Sequence, residues 1–193
     1  MMADVEAGFA YELHGGETEA RQKFGALLAA GKLAVVQPPG KKPRLCGDGT
    51  ISGTNARSRI CEKVRLPSAR SVQSFFSRHQ SARRWSAFSW DVSGAHKLVY
   101  VHPDEQGLSC FMVKGRLFVY RTCYFGCRWA AYWFSRVGAF MVRMLHRFLF
   151  VPHFLALYVD DGLSFLPFEV APLMALWQLC FMTALGVPLS LHN

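Results

Sequence analysis

FLALYVDDGLSF, residues 154–165, is the stretch around which the rest of the chain is organised. Apolar residues of high β propensity stand on both sides of Asp160, Asp161 and Gly162, which predicts a β-hairpin that carries two adjacent carboxylates at its tip. Adjacent carboxylates repel each other, and a hard cation such as Mg²⁺ takes oxygen ligands of this kind. Because Asp-Gly is also a common hairpin turn, the pair alone leaves a plain turn open as the alternative.

Tyr158-Val159-Asp160-Asp161 resembles the aromatic-x-Asp-Asp box of reverse transcriptases. The resemblance implies that Asp160 and Asp161 are catalytic residues and metal ligands. It also implies an α+β fold with reverse-transcriptase-like fingers and palm, in which an antiparallel sheet is backed by helices.

A further aspartate follows an aromatic strand-like run in FSWDVSGAH, residues 88–96. This segment resembles the first catalytic motif of the same family, which implies that Asp91 is the third catalytic and metal-binding carboxylate. His96 stands where the family usually has Tyr or Phe beside the sugar of the incoming nucleotide, which makes it a candidate nucleotide-binding residue. Taken alone, Asp91 is more typical of a helix N-cap or a turn.

The resemblance implies that these three carboxylates, on two strands, could hold two Mg²⁺ ions, with Mn²⁺ as the alternative ion. In the family's reaction one ion lowers the pKa of the primer 3′-hydroxyl, and the other neutralises the triphosphate and the leaving pyrophosphate. The implied partners are an RNA or DNA template-primer and deoxynucleoside triphosphates, and the implied activity is template-directed DNA synthesis.

KKPRLCGDGTISGTN, residues 41–55, resembles the fingers segment of retroelement reverse transcriptases. The resemblance implies that Arg44 and a lysine hold the triphosphate, and a guanidinium group suits phosphate oxygens through its bidentate fork. Lys42 is the candidate lysine, with Lys41 as the alternative because the loop is shorter than in the family. Two other positions match the family's aspartate and asparagine, Asp48 and Asn55. A basic surface hairpin is the alternative interpretation.

YFGCRWAAYWF, residues 124–134, resembles the Pro-Phe-Gly segment of the family. The resemblance implies that Phe125 and Gly126 contact the nucleotide, and a glycine would let the backbone approach a base closely. The segment departs from the family pattern at three positions, Tyr124, Trp129 and Ala131.

The positive charge of the chain is concentrated in one third of the sequence. Residues 41–100 hold 12 Lys and Arg against 3 Asp and Glu, an excess of 9 that equals the net charge of +9 of the whole chain. Such a region suits a phosphate backbone or a triphosphate, and a solvated basic face is the alternative.

The six cysteines have no Cys-x-x-Cys spacing and indicate reduced thiols of an intracellular protein, cytoplasmic or nuclear. Cys123, Cys127, His146 and His153 fit no ordinary zinc-finger spacing, so zinc is disfavoured.

Residues 170–191 form an uncharged run of 22 residues, which is long enough to span a bilayer. Pro172 near its start and Gly186 near its end favour instead a helix packed against a sheet, and we expect no membrane partner.

The chain order predicts three regions: a helical extension over 1–34, a fingers-like region over 35–90 and a palm-like region over 91–193. No segment for a thumb or a ribonuclease H region follows, and Asn193 stands where the family has a lysine. We therefore expect a truncated retroelement fragment with weak or no polymerase activity. A non-catalytic nucleic-acid-binding module and a membrane-anchored protein are the alternatives.

Periodicity and capping residues predict the remaining elements. Helices are expected over 17–30, after Ser68, from Phe134 to Phe148 and over 170–185, and a short strand over 33–36. Three strand-like pieces, 98–104, 109–113 and 116–120, are expected to build the sheet that carries the carboxylates.

Overall fold

The computed structural model describes residues 1–40, 43–79 and 83–190, so Lys41, Lys42 and Asn193 lie outside the described residues. The chain divides into two compact units, Met1–Glu62 with His96–Trp133 and Lys63–Ala95 with Phe134–Asn193. Each unit combines two separate segments, whereas the three regions predicted from the sequence follow chain order and remain predictions.

Along the described residues run nine strands, six α-helices and three 3₁₀ helices. The strands are β1 (Ala10–Leu13), β2 (Ala30–Val36), β3 (Arg44–Gly47), β4 (Trp85–Val92), β5 (Cys110–Val113), β6 (Arg116–Tyr120), β7 (Phe154–Tyr158), β8 (Asp161–Pro167) and β9 (Leu189–Ser190). The α-helices are α1 (Met2–Glu6), α2 (Gly16–Phe24), α3 (Thr54–Arg57), α4 (Ala69–Arg78), α5 (Arg128–Phe148) and α6 (Ala171–Ala184). The 3₁₀ helices are Gly25–Leu27, Ala95–Leu98 and Pro103–Ser109.

The first unit is built on a five-stranded sheet with the order β1-β6-β5-β2-β3. Neighbouring strands are antiparallel except β2 and β5, which pair in parallel. Phe111 in the core of this unit makes edge-to-face contacts with Tyr120 and Tyr124, at ring-centroid distances of 5.7 and 4.8 Å. These aromatic contacts join the sheet to the chain that follows β6.

The second unit contains a four-stranded antiparallel sheet with the order β7-β8-β4-β9. The two central strands pair over seven positions, from Trp85↔Pro167 to Asp91↔Asp161. Helix α6 packs against β4 and β8. In the buried layer between them, the Ser164 hydroxyl donates a hydrogen bond of 2.8 Å to the Gln178 side-chain carbonyl.

Several sequence predictions are confirmed. Residues 154–165 form the expected hairpin, α5 and α6 occupy the predicted apolar segments, and Ser68 caps α4 through a capping box with Ser71. Pro172 lies in the first turn of α6, and Gly186, at φ 72°, follows its end. All of these elements have clear local sequence features, such as apolar runs, capping residues, proline and glycine. Such features predict a helix or strand without information about the element it packs against.

Two predictions are wrong. The pieces at 109–113 and 116–120 do form β5 and β6, but both strands belong to the first unit, because β6 pairs with β1 and β5 with β2. The piece at 98–104 is largely 3₁₀ helix and irregular chain, with one isolated bridge between Tyr100 and Thr122. The sheet of the carboxylates is instead made of β4, β7, β8 and β9.

The helix predicted over residues 17–30 is also shorter than expected. Helix α2 ends at Phe24, because Gly25 adopts φ 52° and ψ −122°, a backbone conformation that favours glycine and breaks the helical path. The chain then passes through a 3₁₀ turn into β2.

Within the three described ranges of the chain, none of the helices combines the length and the apolar character that crossing a membrane requires.

Candidate active site

Three aspartates lie at one end of the four-stranded sheet. Asp91, near the end of β4, is the register partner of Asp161, the first residue of β8. Asp160 and Val159 form the two-residue turn between β7 and β8, and the carbonyl of Asp160 accepts a 3.0 Å hydrogen bond from the Val92 amide. The backbone ladder therefore places the three aspartates that the sequence predicted as catalytic residues at one end of this sheet.

Close packing beside the turn depends on Gly162. A Cβ atom at this position would lie 2.2 Å from Cε2 of Trp90, so the indole rests directly against the glycine backbone. Trp90 is 5% exposed and immediately precedes Asp91. The glycine thus lets the two strands that carry Asp91 and Asp161 pair beneath a large aromatic side chain.

The turn itself contains an unusual backbone conformation. Val159 has φ 58°, in the left-handed region, which is rare for a β-branched residue and costs roughly 1–3 kcal/mol. Such strain persists where the surrounding structure determines it, and it often accompanies functional sites.

The donor atoms at this end of the sheet suit a hard divalent cation. Directly opposed residues of an antiparallel pair have Cβ atoms about 4.5–5.5 Å apart on one face, so Asp91 and Asp161 present carboxylates side by side. Both line a cavity of about 320 Å³, together with Ser89 and Ser190. Carboxylate oxygens are ligands that Mg²⁺ accepts, and the donor type and the register therefore fit the metal.

The carboxylates are not preassembled. Among the described residues, no group of three or more His, Cys, Asp or Glu side chains is arranged to hold a metal ion. The three side chains would have to converge when a cation binds, and their metal-binding role remains a prediction.

The candidate nucleotide-binding residues of the first unit gather around Phe125. The guanidinium carbon of Arg44 lies 5.7 Å from the centre of the Phe125 ring, and the His96 ring meets it edge-on at 5.2 Å. Lys42 lies outside the described residues. The structure therefore brings together three of the predicted residues, and Gly126 follows directly in the chain.

Hydrogen bonds hold the loop at Phe125 and Gly126 against the end of β3. The Gly47 amide donates to the Phe125 carbonyl at 2.7 Å, and the Asn55 side-chain amide donates to the Gly126 carbonyl at 2.9 Å. Asn55 also accepts from the Arg128 amide through its side-chain oxygen, at 2.9 Å. Asn55 thus fixes the loop rather than facing a ligand.

Gly126 is required for a reason that the sequence did not reveal. Its φ is 98°, and a Cβ atom there would lie 1.9 Å from the Gly47 carbonyl oxygen. The close approach that excludes a side chain is therefore one between two segments of this protein, independent of any nucleotide.

Asp48 has a local structural role. Its side-chain oxygen accepts hydrogen bonds from the amides of Thr50 and Ile51, at 2.9 and 3.1 Å. This pattern is that of an Asx turn, which shapes the chain after β3.

Sequence reasoning missed a charged group near Arg44 and Phe125. Lys97 Nζ lies 2.5 Å from Oδ1 of Asp4, and the Tyr120 hydroxyl donates to Oδ2 of Asp4 at 2.6 Å. Burial alone would raise the pKa of the Asp4 carboxyl, but the hydrogen bonds from Lys97 and Tyr120 outweigh it and lower that pKa. Lys97 directly follows His96, and this position could have marked it as a candidate nucleotide-binding residue. Asp4 lies 93 residues away in the sequence, and no motif there pointed to a role.

The four residues considered as zinc ligands lie in two different units of the protein, two in each unit. Cys123 and Cys127 are buried in the core of the first unit, and burial raises the pKa of the Cys127 thiol. In the second unit, His146 Nδ1 and His153 Nε2 share a hydrogen bond of 2.7 Å.

Comparisons with known proteins give a fold and no sequence family. No family model and no curated protein matches the sequence. One similar solved structure is a foamy viral protease-reverse transcriptase in complex with double-stranded DNA, at a TM-score of 0.67 and 13% identity over 96% of this chain and 28% of that chain. Another is the native protease-reverse transcriptase of prototype foamy virus, at a TM-score of 0.66 and 12% identity over 96% of this chain and 21% of that chain.

The chain thus spans about a quarter of the length of the structures it matches. Together with two sheets in which every strand pair but β2–β5 is antiparallel, these matches show that the protein has an α+β fold like that of part of these reverse-transcriptase structures.

Proposed function

We propose that the protein is a reverse transcriptase domain that performs template-directed DNA synthesis through Asp91, Asp160 and Asp161. The observation that carries the proposal is the register of β4 and β8, which opposes Asp91 to Asp161 with Asp160 in the adjoining turn. Carboxylates from two strands of one sheet can share divalent cations, and phosphoryl transfer depends mainly on positioning and charge stabilisation.

The three aspartates would hold two Mg²⁺ ions through their carboxylate oxygens. When bound, the metal supplies Lewis-acid stabilisation of the charge that develops during phosphoryl transfer. The protein's own part is to hold the backbone of these aspartates in register, which the hydrogen bond to the Asp160 carbonyl and the Trp90–Gly162 contact support. Because the carboxylate side chains are not preassembled among the described residues, we expect slow synthesis by this chain alone.

Arg44 would bind the triphosphate, with Phe125 and His96 beside the base or sugar. A guanidinium group pairs well with phosphate oxygens, and that of Arg44 lies within cation–π distance of the Phe125 ring. The bulk of His96, whose ring contacts that of Phe125, would disfavour a ribose 2′-hydroxyl on a nucleotide bound beside it.

Primer extension on a poly(rA) template with an oligo(dT) primer tests the proposal, in Mg²⁺ and in Mn²⁺. We expect extension by the wild-type chain and none by the Asp160→Asn, Asp161→Asn double variant, with equal binding of template-primer by both. Extension that is unchanged in the double variant would refute the assignment of these carboxylates.

A non-catalytic nucleic-acid-binding module is the second candidate, favoured by exposed arginines around α4. They are Arg65, Arg70, Arg78, Arg83 and Arg84. This alternative requires binding that weakens steeply with salt, is indifferent to Asp160→Asn, and is accompanied by no extension in either metal.

A further inference from the structure

A cavity of about 410 Å³ lies entirely within the first unit. Its lining includes Arg44 and Phe125, two of the candidate nucleotide-binding residues, and it also includes a second cation, Lys97. Aromatic side chains and two positive groups around one cavity are chemically suited to a ligand with a flat ring and a polyphosphate group. Lys97 has no role in the proposed function.

The charge of Lys97 is already compensated from within the protein. Asp4, on α1, lines the same cavity and pairs with Lys97 at 2.5 Å, and the two side chains are only 13% and 25% exposed. Tyr120 donates to the second carboxylate oxygen, so both oxygens of Asp4 are engaged. Partial burial strengthens such an ion pair, because water and salt screen it less than a pair at the surface.

The element that supplies Asp4 is weakly attached. Helix α1 has five residues, and none of them is buried. Met1 and Val5 pack against the hydrophobic core of the first unit only as partly buried residues. A short helix of this kind can detach at a small cost in free energy, unlike the strands beneath it.

We propose that Lys97 is a second polyphosphate-binding cation of this cavity and that Asp4 on α1 is its intramolecular competitor. A phosphate group offers Lys97 the same kind of anionic oxygen acceptor that Asp4 provides, with more negative charge. A bound polyphosphate therefore displaces the Asp4 carboxylate and releases α1. The class of ligand, a nucleoside triphosphate, is taken from the proposed function, on which the inference rests. The inference adds Lys97 as a binding residue and the Asp4–Lys97 ion pair as a regulatory contact.

Binding of inorganic tripolyphosphate, measured by calorimetry at about 0.1 M salt, tests the competition directly. We expect Asp4→Asn to bind about tenfold more tightly than the wild type, because it removes the competing charge and keeps an oxygen acceptor for Tyr120. Glu6→Gln is the matched control, since it removes the same charge from an exposed side chain of the same helix and should change affinity less than about twofold. Lys97→Met in the Asp4→Asn background should abolish the gain.

The inference is overturned if Asp4→Asn binds no more tightly than Glu6→Gln, if the gain survives Lys97→Met, or if no variant binds tripolyphosphate. Hydrogen exchange on the wild-type chain gives a readout that needs no substitution. We expect tripolyphosphate to accelerate exchange of the amides of residues 2–9, and slower exchange there would contradict release of α1. Neither measurement uses a primer or the three aspartates, so a failure of DNA synthesis and a failure of this inference are distinguishable.

Discussion

Trp90 rests directly against Gly162 across the β4–β8 pair, and this contact lies one residue from the opposed aspartates Asp91 and Asp161. The Gly162 φ angle lies outside the left-handed region, so the backbone itself would tolerate alanine. The three heavy atoms nearest to a Cβ atom at this position all belong to the indole. The contact therefore offers a way to disturb the carboxylates without changing them.

We expect Gly162→Ala to destabilise the protein by about 1–3 kcal/mol, because the new methyl group overlaps the indole. Urea unfolding measures the loss. In a Trp90→Leu background the same substitution should cost clearly less, since the overlapping atoms are gone. An equal cost in both backgrounds would mean that the indole is not the obstacle.

The buried hydrogen bond between Ser164 and Gln178 should behave as a coupled pair. Ser164→Ala leaves the Gln178 carbonyl oxygen buried without this donor, and we expect a loss of about 1–3 kcal/mol in unfolding free energy. The double variant Ser164→Ala, Gln178→Met should lose less than the sum of the two single variants, because no unpaired polar group remains. Strict additivity in this double-mutant cycle would show that the bond contributes nothing.

The strained turn residue Val159 should respond to glycine. Val159→Gly removes the β-branched side chain from φ 58°, and after the entropic cost of glycine we expect a net gain of about 1 kcal/mol in unfolding free energy. Lys114, at φ 49°, provides the control, because an unbranched side chain is less strained there. A larger gain from Lys114→Gly than from Val159→Gly would contradict this explanation.

The pKa of Asp4 leads to a specific pH dependence. Because this pKa is lowered from its ordinary value of 3.8 in the folded protein, Asp4 stabilises the fold above that value, and the contribution disappears as the pH falls through the lower, folded-state pKa. We expect the difference in unfolding free energy between wild type and Asp4→Asn to be constant above about pH 5 and to shrink below about pH 4. A difference that grows on acidification would have the wrong sign.

Local sequence signals account for much of this fold. The apolar runs on either side of Asp160 and Asp161 predicted the β7–β8 hairpin, and the capping residue Ser68 predicted the start of α4. The three aspartates were found as a set only because their segments resemble motifs of one family. The register of β4 and β8 then places them at one end of a sheet.

The errors concern partners that are distant in the sequence. β6 pairs with β1, more than 100 residues away, and alternation within residues 116–120 carries no information about that partner. The Asp4–Lys97 ion pair and the close approach of Gly47 to Gly126 were unpredictable for the same reason. In each pair, the sequence around one residue carries no information about its distant partner. The helix predicted over residues 17–30 is longer than α2, because helix propensity carries no information about the positive-φ conformation that Gly25 adopts.

Single-turnover incorporation of one dTMP onto an oligo(dT) primer on poly(rA), with Asp91→Asn, tests most directly whether β4 and β8 together form one catalytic site. Asp104→Asn is the control, because Asp104 is an exposed aspartate outside the carboxylate sheet. We expect Asp91→Asn to lower the rate about a thousandfold or more, and Asp104→Asn to leave it unchanged. A rate for Asp91→Asn equal to that of the wild type, or no incorporation by the wild type itself, would contradict the assignment.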